Sequence, residues 1–466
     1  MLDHPAWPLL TVLGLAYALS ALWPWLRWGW HWLRWHRRGP ARRPRLAGLL
    51  ERPPCPACVT TPPAGPVATP PPPIEHSHGR PRSVDTSSHY CPAQSCRYYG
   101  WVGLGNIRAN GHPNSGSARQ LECVDCGKTF METTHTIFYR KRVPAETIWR
   151  TLTALAEGLD IRGAARVFDL DPNTVQTWLR QAAQHMDAVS YYLIHDLHLT
   201  QVQVDELWAL LGRQEVDPQS QQKQRRCRWV WAGMDPVSKL LLACVVGDRS
   251  QGCAQLLIHA IAALLAPGCV PLFVSDQWAA YGAALLTHFG HWVAVPRRYA
   301  RGRRPHPRWQ PLPALHYAQV VKQRVQGRVV GVTQRVVYGS LARVRTVLQQ
   351  SGVGRVINTA FSERLNQTIR QHVAALGRKV ASIAKGEPGL RDQLSLSRGY
   401  YNFCLPHTTL RIPLPVPQPT KGTGSPKKWQ PRTPAMAAGV TDRVWRLEEL
   451  LRWPVPPWRQ AAVAAR

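Results

Sequence analysis

Four carboxylates stand out by their places in the chain. Asp205-Glu206 sits within the alternating stretch Gln201 to Leu211, Asp276 follows the apolar run Val270 to Val274, and Glu363 opens a helical run. Between Asp276 and Glu363 there is no acidic residue, while thirteen Lys and Arg fall there, among them Arg297, Arg298, Arg301, Arg303, Arg304 and Arg308. A stretch so depleted of acid is a surface for phosphates. The acids that bracket it suit binding of two divalent cations, which activate a water or a 3′-hydroxyl and steady in-line displacement at phosphorus. Taken singly, each could be a salt-bridged surface group; taken jointly, they point to phosphodiester chemistry. Because opposite charge lowers carboxylate pKa values, the nearby arginines are expected to keep Asp205, Asp276 and Glu363 ionised. Period-two geometry puts Asp205 and Glu206 on opposite faces of a strand. Glu206 shares its face with Val204 and Trp208, which leaves Asp205 as the expected ligand. His372 and His407 read as structural or phosphate-contacting groups.

The second chemistry is in the cysteines. Cys91-x4-Cys96 and Cys123-x2-Cys126 are separated by 26 residues that include Gly100, Gly103, Gly105 and Gly111. Two knuckles joined by a Gly-rich hairpin give the tetrahedral thiolate cage that Zn²⁺ prefers, and the metal supplies folding energy that a small module lacks. Cys55 and Cys58 have no partner pair nearby. Cys227, Cys244, Cys253, Cys269 and Cys404 sit singly among apolar residues and read as core thiols. This pattern fits a reducing compartment rather than a secreted disulfide scaffold.

The elements that must position these groups can be read in outline. Gln201 to Leu211, Arg228 to Met234, Lys239 to Val246 and Val270 to Val274 read as strands, and Ala254 to Leu265 as a helix. In the run after Glu363, Glu363, Asn366 and Arg370 fall on one helical face, and Phe361, Leu365, Ile369, Val373 and Leu376 on another. Upstream, Pro144 to Glu157 and Ile161 to Phe168 read as two short helices. Asp171 can cap a third, with Pro172 in its first turn, running through Val175, Trp178 and Leu179. That order makes a helix-turn-helix whose exposed face carries Asn173, Thr174, Gln176, Thr177 and Arg180, side chains able to reach base edges and phosphates.

Length and charge frame the rest. The 466 residues imply several domains, and 58 Lys and Arg against 27 Asp and Glu give a formal net charge of +31. With hydrophobic residues at 44%, wholesale disorder is excluded, and the charge favours a polyanionic partner, nucleic acid foremost. The expected organisation is an apolar segment with a basic flank over 1–52, a Pro-rich linker over 53–88 that should be extended and mobile, and the cysteine module over 89–138. The helices follow over 143–190, then the large domain over 197–410, and a Pro-rich tail over 411–466 with a short helix at Thr441 to Leu451. Ala6 to Leu26 contains no charged residue and is long enough to span a bilayer. Seven arginines follow it, so as a single anchor it would leave the remaining chain in the cytoplasm. A translated upstream region remains the alternative.

The order of these parts resembles the DDE transposases of bacterial insertion sequences, most closely the insertion-sequence-one type. The resemblance rests on the knuckle Cys123-Val124-Asp125-Cys126, the helix-turn-helix, and Val204-Asp205-Glu206-Leu207-Trp208. It rests further on Ser275-Asp276-Gln277-Trp278-Ala279-Ala280-Tyr281, and on Glu363-Arg364-Leu365-Asn366 with Leu376-Gly377-Arg378-Lys379 downstream. It covers residues 89 to about 410. It implies an α/β ribonuclease-H-like core, a mixed sheet with helices, preceded by a zinc ribbon and an all-α helix-turn-helix. It also implies Mg²⁺ or Mn²⁺ dependence, and cleavage and transfer of double-stranded DNA at element ends by a homodimer or higher oligomer on the nucleoid. Asp205, Asp276 and Glu363 would be the metal triad, supported by Asn366 and Arg370, with Arg297 and Arg298 on the DNA. The x4 knuckle, the apolar N-terminal segment and the Pro-rich tail depart from the family pattern. The readings set against it are a DNA-binding regulator without enzymatic activity, free or held at a membrane, and a related nuclease or integrase acting on other DNA.

Overall fold

The computed structural model describes residues 69–74, 84–113, 118–216, 223–294, 306–326, 328–378, 382–420, 422 and 424–460. Arg297, Arg298, the apolar segment Ala6 to Leu26 and the Cys55/Cys58 pair lie outside them. Among the described residues, no helix is long and apolar enough to cross a membrane.

Strands β1 (Ile107–Ala109), β2 (Gln120–Cys123) and β3 (Thr129–Met131) make a small antiparallel sheet. Its core is Tyr98, Ile107 and Leu121 together with three of the cysteines. Part of the Pro-rich stretch lies against it: Tyr98 Oη donates to the Pro72 carbonyl (2.9 Å) and Ile74 N–H to that of Leu104 (2.8 Å). These residues, expected to be mobile, are held because buried Tyr98 needs an acceptor for its hydroxyl.

Helices α1 (Ala145–Ala156), α2 (Ile161–Val167) and α3 (Pro172–Leu193) come next. The Asp160 carboxylate accepts the Gly163 N–H (3.0 Å), and Asp171 accepts those of Asn173 and Thr174 (2.8 and 3.2 Å), so both later helices start on side-chain caps. Val175, Trp178, Leu179, Ala182, Met186 and Val189 bury one stripe of α3, which runs to Leu193, well past the stretch expected from periodicity.

The largest part is a six-stranded mixed sheet flanked by helices, consistent with a ribonuclease-H-like core. Its strands are β4 (Gln201–Val216), β5 (Lys223–Met234), β6 (Leu241–Gly247), β7 (Leu272–Asp276), β10 (His316–Val325) and β11 (Arg328–Tyr338), in spatial order β11-β10-β7-β4-β5-β6. The β4–β7 and β7–β10 pairs are parallel; the other three are antiparallel. A short ribbon of β8 (Gly290–Val293) and β9 (Arg308–Pro311) stands apart from this sheet.

Helices α4 (Gln251–Ala262) and α5 (Ala279–His288) cover one face, packing Leu257, Ile258, Ile261, Tyr281 and Leu285 against Val202, Val204, Trp231 and Phe273. Alpha-4 begins three residues before the expected Ala254, because the Ser250 hydroxyl accepts the Cys253 N–H (3.4 Å) as an N-cap. On the other face, α6 (Leu341–Ser351) contributes Val344 and Leu348 over β7 and β10. Helices α7 (Ala360–His372) and α8 (Glu387–Phe403) cover β4, β5 and β6 through Leu365, Ile369, Leu390 and Leu394.

The Pro-rich tail forms a ribbon of β12 (Ile412–Gln418) and β13 (Lys427–Gln430), followed by α9 (Pro434–Ala437) and α10 (Leu447–Arg452). The last helix starts later than the expected Thr441, at a turn where Glu449 accepts the Arg446 N–H (3.1 Å). Ala435, Leu447, Leu450 and Leu451 join the same core as α1 and α3. Beyond them Arg459 donates to the Tyr191 carbonyl at the end of α3 (2.8 Å). Gln460 spans Gly100 O (2.6 Å) and Val102 N–H (3.2 Å) in the cysteine module, where Trp458 also packs edge-on to Trp101. The chain therefore returns from the tail to strap its early modules together. Of the five single cysteines, Cys244, Cys253, Cys269 and Cys404 are half-buried and pack against the hydrophobic cores as expected, while Cys227 is exposed.

Candidate active site and metal centre

Parallel register brings two of the carboxylates together. Gln203 on β4 pairs with Val274 on β7, so two residues further along Asp205 and Asp276 leave adjacent strands at one level and on one face. Ligand oxygens of Asp205, Glu206 and Asp276 all lie within 4.8 Å of one another. Asp205 faces α7: its Oδ2 accepts from Asn366 Nδ2 (2.9 Å), and its Oδ1 from the Glu206 N–H (2.8 Å). Asp276 Oδ1 accepts the Trp278 N–H at 3.0 Å, fixing the carboxylate where the strand turns into α5.

Glu206 is tied up differently. Its side chain is 2% exposed, held by Arg249 (2.6 Å) and by the Tyr281 hydroxyl (2.8 Å). Arg249 in turn lies over the rings of Trp229 and Trp278. Its Oε1 accepts twice from Arg249, while Oε2, with the Tyr281 hydroxyl as its one donor, keeps a lone pair that could meet a cation. Asp205, half-buried with a single side-chain partner, keeps lone pairs free.

Glu363 stands on the first turn of α7. Gln203, fully buried on β4, accepts the Ser362 N–H (3.1 Å) and donates to the Asn358 carbonyl (2.9 Å), pinning the start of that helix to the sheet. Glu363 pairs with Lys322 of β10 and accepts from the Thr359 hydroxyl (3.1 Å). Lys322 lies two residues past Val320, which is opposite Asp276, so it projects on the same face as the acids. The three-carboxylate group within 4.8 Å does not include Glu363.

The electrostatics correct one expectation. Burial, then the charges of Glu206, Asp276 and Glu363, push the Asp205 carboxyl up to about 7. Among the described basic residues of the acid-free stretch, none pairs with it to keep it ionised. Burial also raises Glu206, joined by Asp276 and opposed by Tyr281 and Arg249. Burial alone would raise Glu363 too, but Lys322, Thr359 and Arg324 outweigh it and hold it below its ordinary value. Mutually repelling carboxylates around one point are what a divalent cation relieves, and the oxygen donors suit Mg²⁺ or Mn²⁺. Asp205, Glu206 and Asp276 could hold such an ion.

The remaining expected residues fall as follows. Arg370 turns away from the acids and donates to the Leu376 carbonyl (3.3 Å), closing the turn after α7. On α3, Asn173, Gln176, Thr177 and Arg180 are exposed and Thr174 is half-exposed. His372 bonds the Ala156 carbonyl (3.0 Å) and His407 the Thr409 hydroxyl (2.9 Å). Gln203, Arg249 and Lys322 have no local sequence signal. Gln203 alone was within reach of inference, since period two puts it on the face of Asp205.

The four early cysteines converge. Sγ of Cys91 is 3.6 Å from that of Cys126, and Sγ of Cys96 is 3.9 Å from that of Cys123. A tetrahedron with Zn–S bonds of ~2.3 Å has edges of about 3.8 Å, so the set fits zinc. Tyr98 N–H points at Cys96 Sγ (3.4 Å) and Asn106 Nδ2 at Cys123 Sγ (3.6 Å), donors that suit thiolates. Burial raises Cys91 and brings Cys96 to about 12; for Cys123 burial is outweighed by N–H donors and its pKa falls. The four thiols could hold a zinc ion.

No family model matches this chain, and no curated protein matches it. Solved structures that show likeness include the Mos1 strand transfer complex (13% identity, 30% of this chain and 53% of that one, TM-score 0.12) and a pre-cleavage Mos1 transpososome (12%, 32% and 58%, TM-score 0.14). The chain thus spans little more than half the length of either, and likeness at that level carries no argument about what this protein does.

Proposed function

We propose that the chain is a DDE-type DNA transposase of the insertion-sequence-one kind, cleaving and rejoining DNA at the ends of a mobile element. The observation that carries this reading is the convergence of Asp205 and Asp276 from adjacent parallel strands, with Glu363 on the helix packed over them. The strand order supports it: numbered by sequence, β6-β5-β4-β7-β10 runs 3-2-1-4-5 with the second strand antiparallel, the order of a ribonuclease-H-like core. In this reading Asp205 and Asp276, joined by Glu363, hold two divalent cations. Bound there, the ions would lower the pKa of an attacking water or 3′-hydroxyl and steady the in-line displacement. Asn366 orients Asp205, and Lys322 and Arg324 offer cations to the scissile strand. The zinc module and the exposed face of α3 deliver element ends, Arg297 and Arg298 add phosphate contacts, and two or more copies assemble on DNA at the nucleoid.

The test uses the full chain with duplexes taken from the DNA flanking its own gene, including any inverted repeats. With Mg²⁺ or Mn²⁺, nicked and strand-transferred products should form. Asp276→Asn should bind the same duplex and lose cleavage by orders of magnitude. Near-full strand transfer by both Asp205→Asn and Asp276→Asn would refute the reading and favour a regulator that only binds DNA.

A further inference from the structure

Glu363 and its two supposed partners stand on one face of the sheet, yet the group of close carboxylates leaves Glu363 out. The cause is visible in its contacts: Lys322 Nζ pairs with Glu363 Oε1, and the Thr359 hydroxyl donates to that same oxygen (3.1 Å). An ammonium therefore engages Oε1 of Glu363, one of the two oxygens that could ligate a divalent ion. Both partners are partly solvated, with side chains 32% and 49% exposed, so the pair is one that a competing anion can reach. Such pairs are weak and readily exchanged.

Lys322 is also the root of a projecting ribbon. Beyond Val320, the β10–β11 hairpin leaves the protein core: Arg324, Val325, Arg328, Val329, Val330 and Val332 are all exposed. Arg324 and Arg328 lie near its tip, and no acid lies between Asp276 and Glu363 to neutralise them. A phosphodiester backbone drawn to this ribbon meets Lys322 at its base.

We propose that Lys322 is a positioning residue that keeps Glu363 apart from Asp205 and Asp276 in the free protein, and releases it to the divalent ion when a DNA phosphate takes the ammonium. The lysine thereby leaves cation binding a few-fold weaker in the free protein than on DNA. This rests on the reading of Asp205, Asp276 and Glu363 as one cation site, and the experiment separates the two. Mn²⁺ binding to the full-length, zinc-loaded protein is measured by titration calorimetry without DNA. Wild-type binding that is lost in Asp205→Asn establishes the site; its absence, or its persistence in that variant, overturns both readings.

With the site established, Lys322→Met should bind Mn²⁺ about two- to five-fold more tightly than wild type, the range open to release of a partly exposed ion pair. The gain should vanish in the Lys322→Met, Glu363→Gln double variant, a coupling that a purely structural lysine would not produce. A non-specific duplex should tighten Mn²⁺ binding to wild type more than to Lys322→Met. Lys322→Gln serves as a second neutral variant if the methionine perturbs folding. Unchanged or weaker Mn²⁺ binding in the neutral variants would overturn the proposal while leaving the acid site standing.

Discussion

Asp205→Asn should stabilise the protein when no divalent ion is bound, even though it removes an expected cation ligand. A carboxyl raised from 3.8 to about 7 binds more protons folded than unfolded, so its contribution to stability is fully present below pH 3.8 and falls as pH rises towards 7. At ~1.4 kcal/mol per pH unit, the ionised group costs the fold about 4 kcal/mol above pH 7. The amide avoids that cost at almost no change in shape. Its Oδ1 keeps the Glu206 N–H, and its new N–H₂ meets Asn366, whose Oδ1 is buried without a partner and can accept once that amide turns over. The assay is thermal unfolding of wild type and variant from pH 5 to pH 8, with zinc retained and Mg²⁺ and Mn²⁺ withheld. The variant's advantage should be about 2 kcal/mol at pH 5 and grow to about 4 kcal/mol at pH 8, shrinking again when Mn²⁺ is added. A variant less stable than wild type at pH 8, or an advantage independent of pH, would refute the account of Asp205 as an uncompensated buried acid.

Other outcomes follow from the same structure. Cys123→Ala should abolish the bound zinc, measured by metal analysis, and expose the 89–138 module to proteolysis while the sheet stays folded. Arg180→Ala combined with Gln176→Ala should weaken duplex binding and lower the slope of affinity against salt by about one, if Arg180 meets a phosphate; unchanged affinity would assign that face of α3 to packing. Gly158 has a φ of +96°, and a β-carbon there would stand 2.3 Å from the Gln371 carbonyl of α7. Gly158→Ala should therefore destabilise the chain by about 2–4 kcal/mol in chemical denaturation, because neither the positive φ nor the backbone clash can relax cheaply.

What could be read in advance was local. Asp171 and Pro172 announce α3 because a cap and a fixed φ act within one turn. The acids announce themselves because the acid-free stretch between Asp276 and Glu363 isolates them in composition, without any knowledge of the fold. The hidden part depends on elements far apart in sequence. Asp205 is raised because α7, more than 150 residues later, covers it, and periodicity records neither that burial nor the pairing of Glu363 with a lysine on another strand. Ser250 was a readable cap that the apolar run beginning at Ala254 obscured. The sequence places the start of α10 at Thr441, whereas the Trp445 N–H bonds the Phe403 carbonyl (3.1 Å) and holds the chain out of helix until Arg446.

The strap formed by residues 434–460 has a consequence for biosynthesis. Ribosomes deliver the cysteine module and helices α1 to α3 several hundred residues before Leu447, Leu450, Leu451 and Gln460 emerge. Until then the apolar flank of α1 and α3 lies bare, and the carbonyl of Gly100 lacks the Gln460 amide that caps it. A nascent chain would carry the cysteine module and these helices loosely hinged, and only a chain read through the strap could set them at a fixed distance from the sheet. Truncated products from a broken message would be left with these modules but without their fixed geometry.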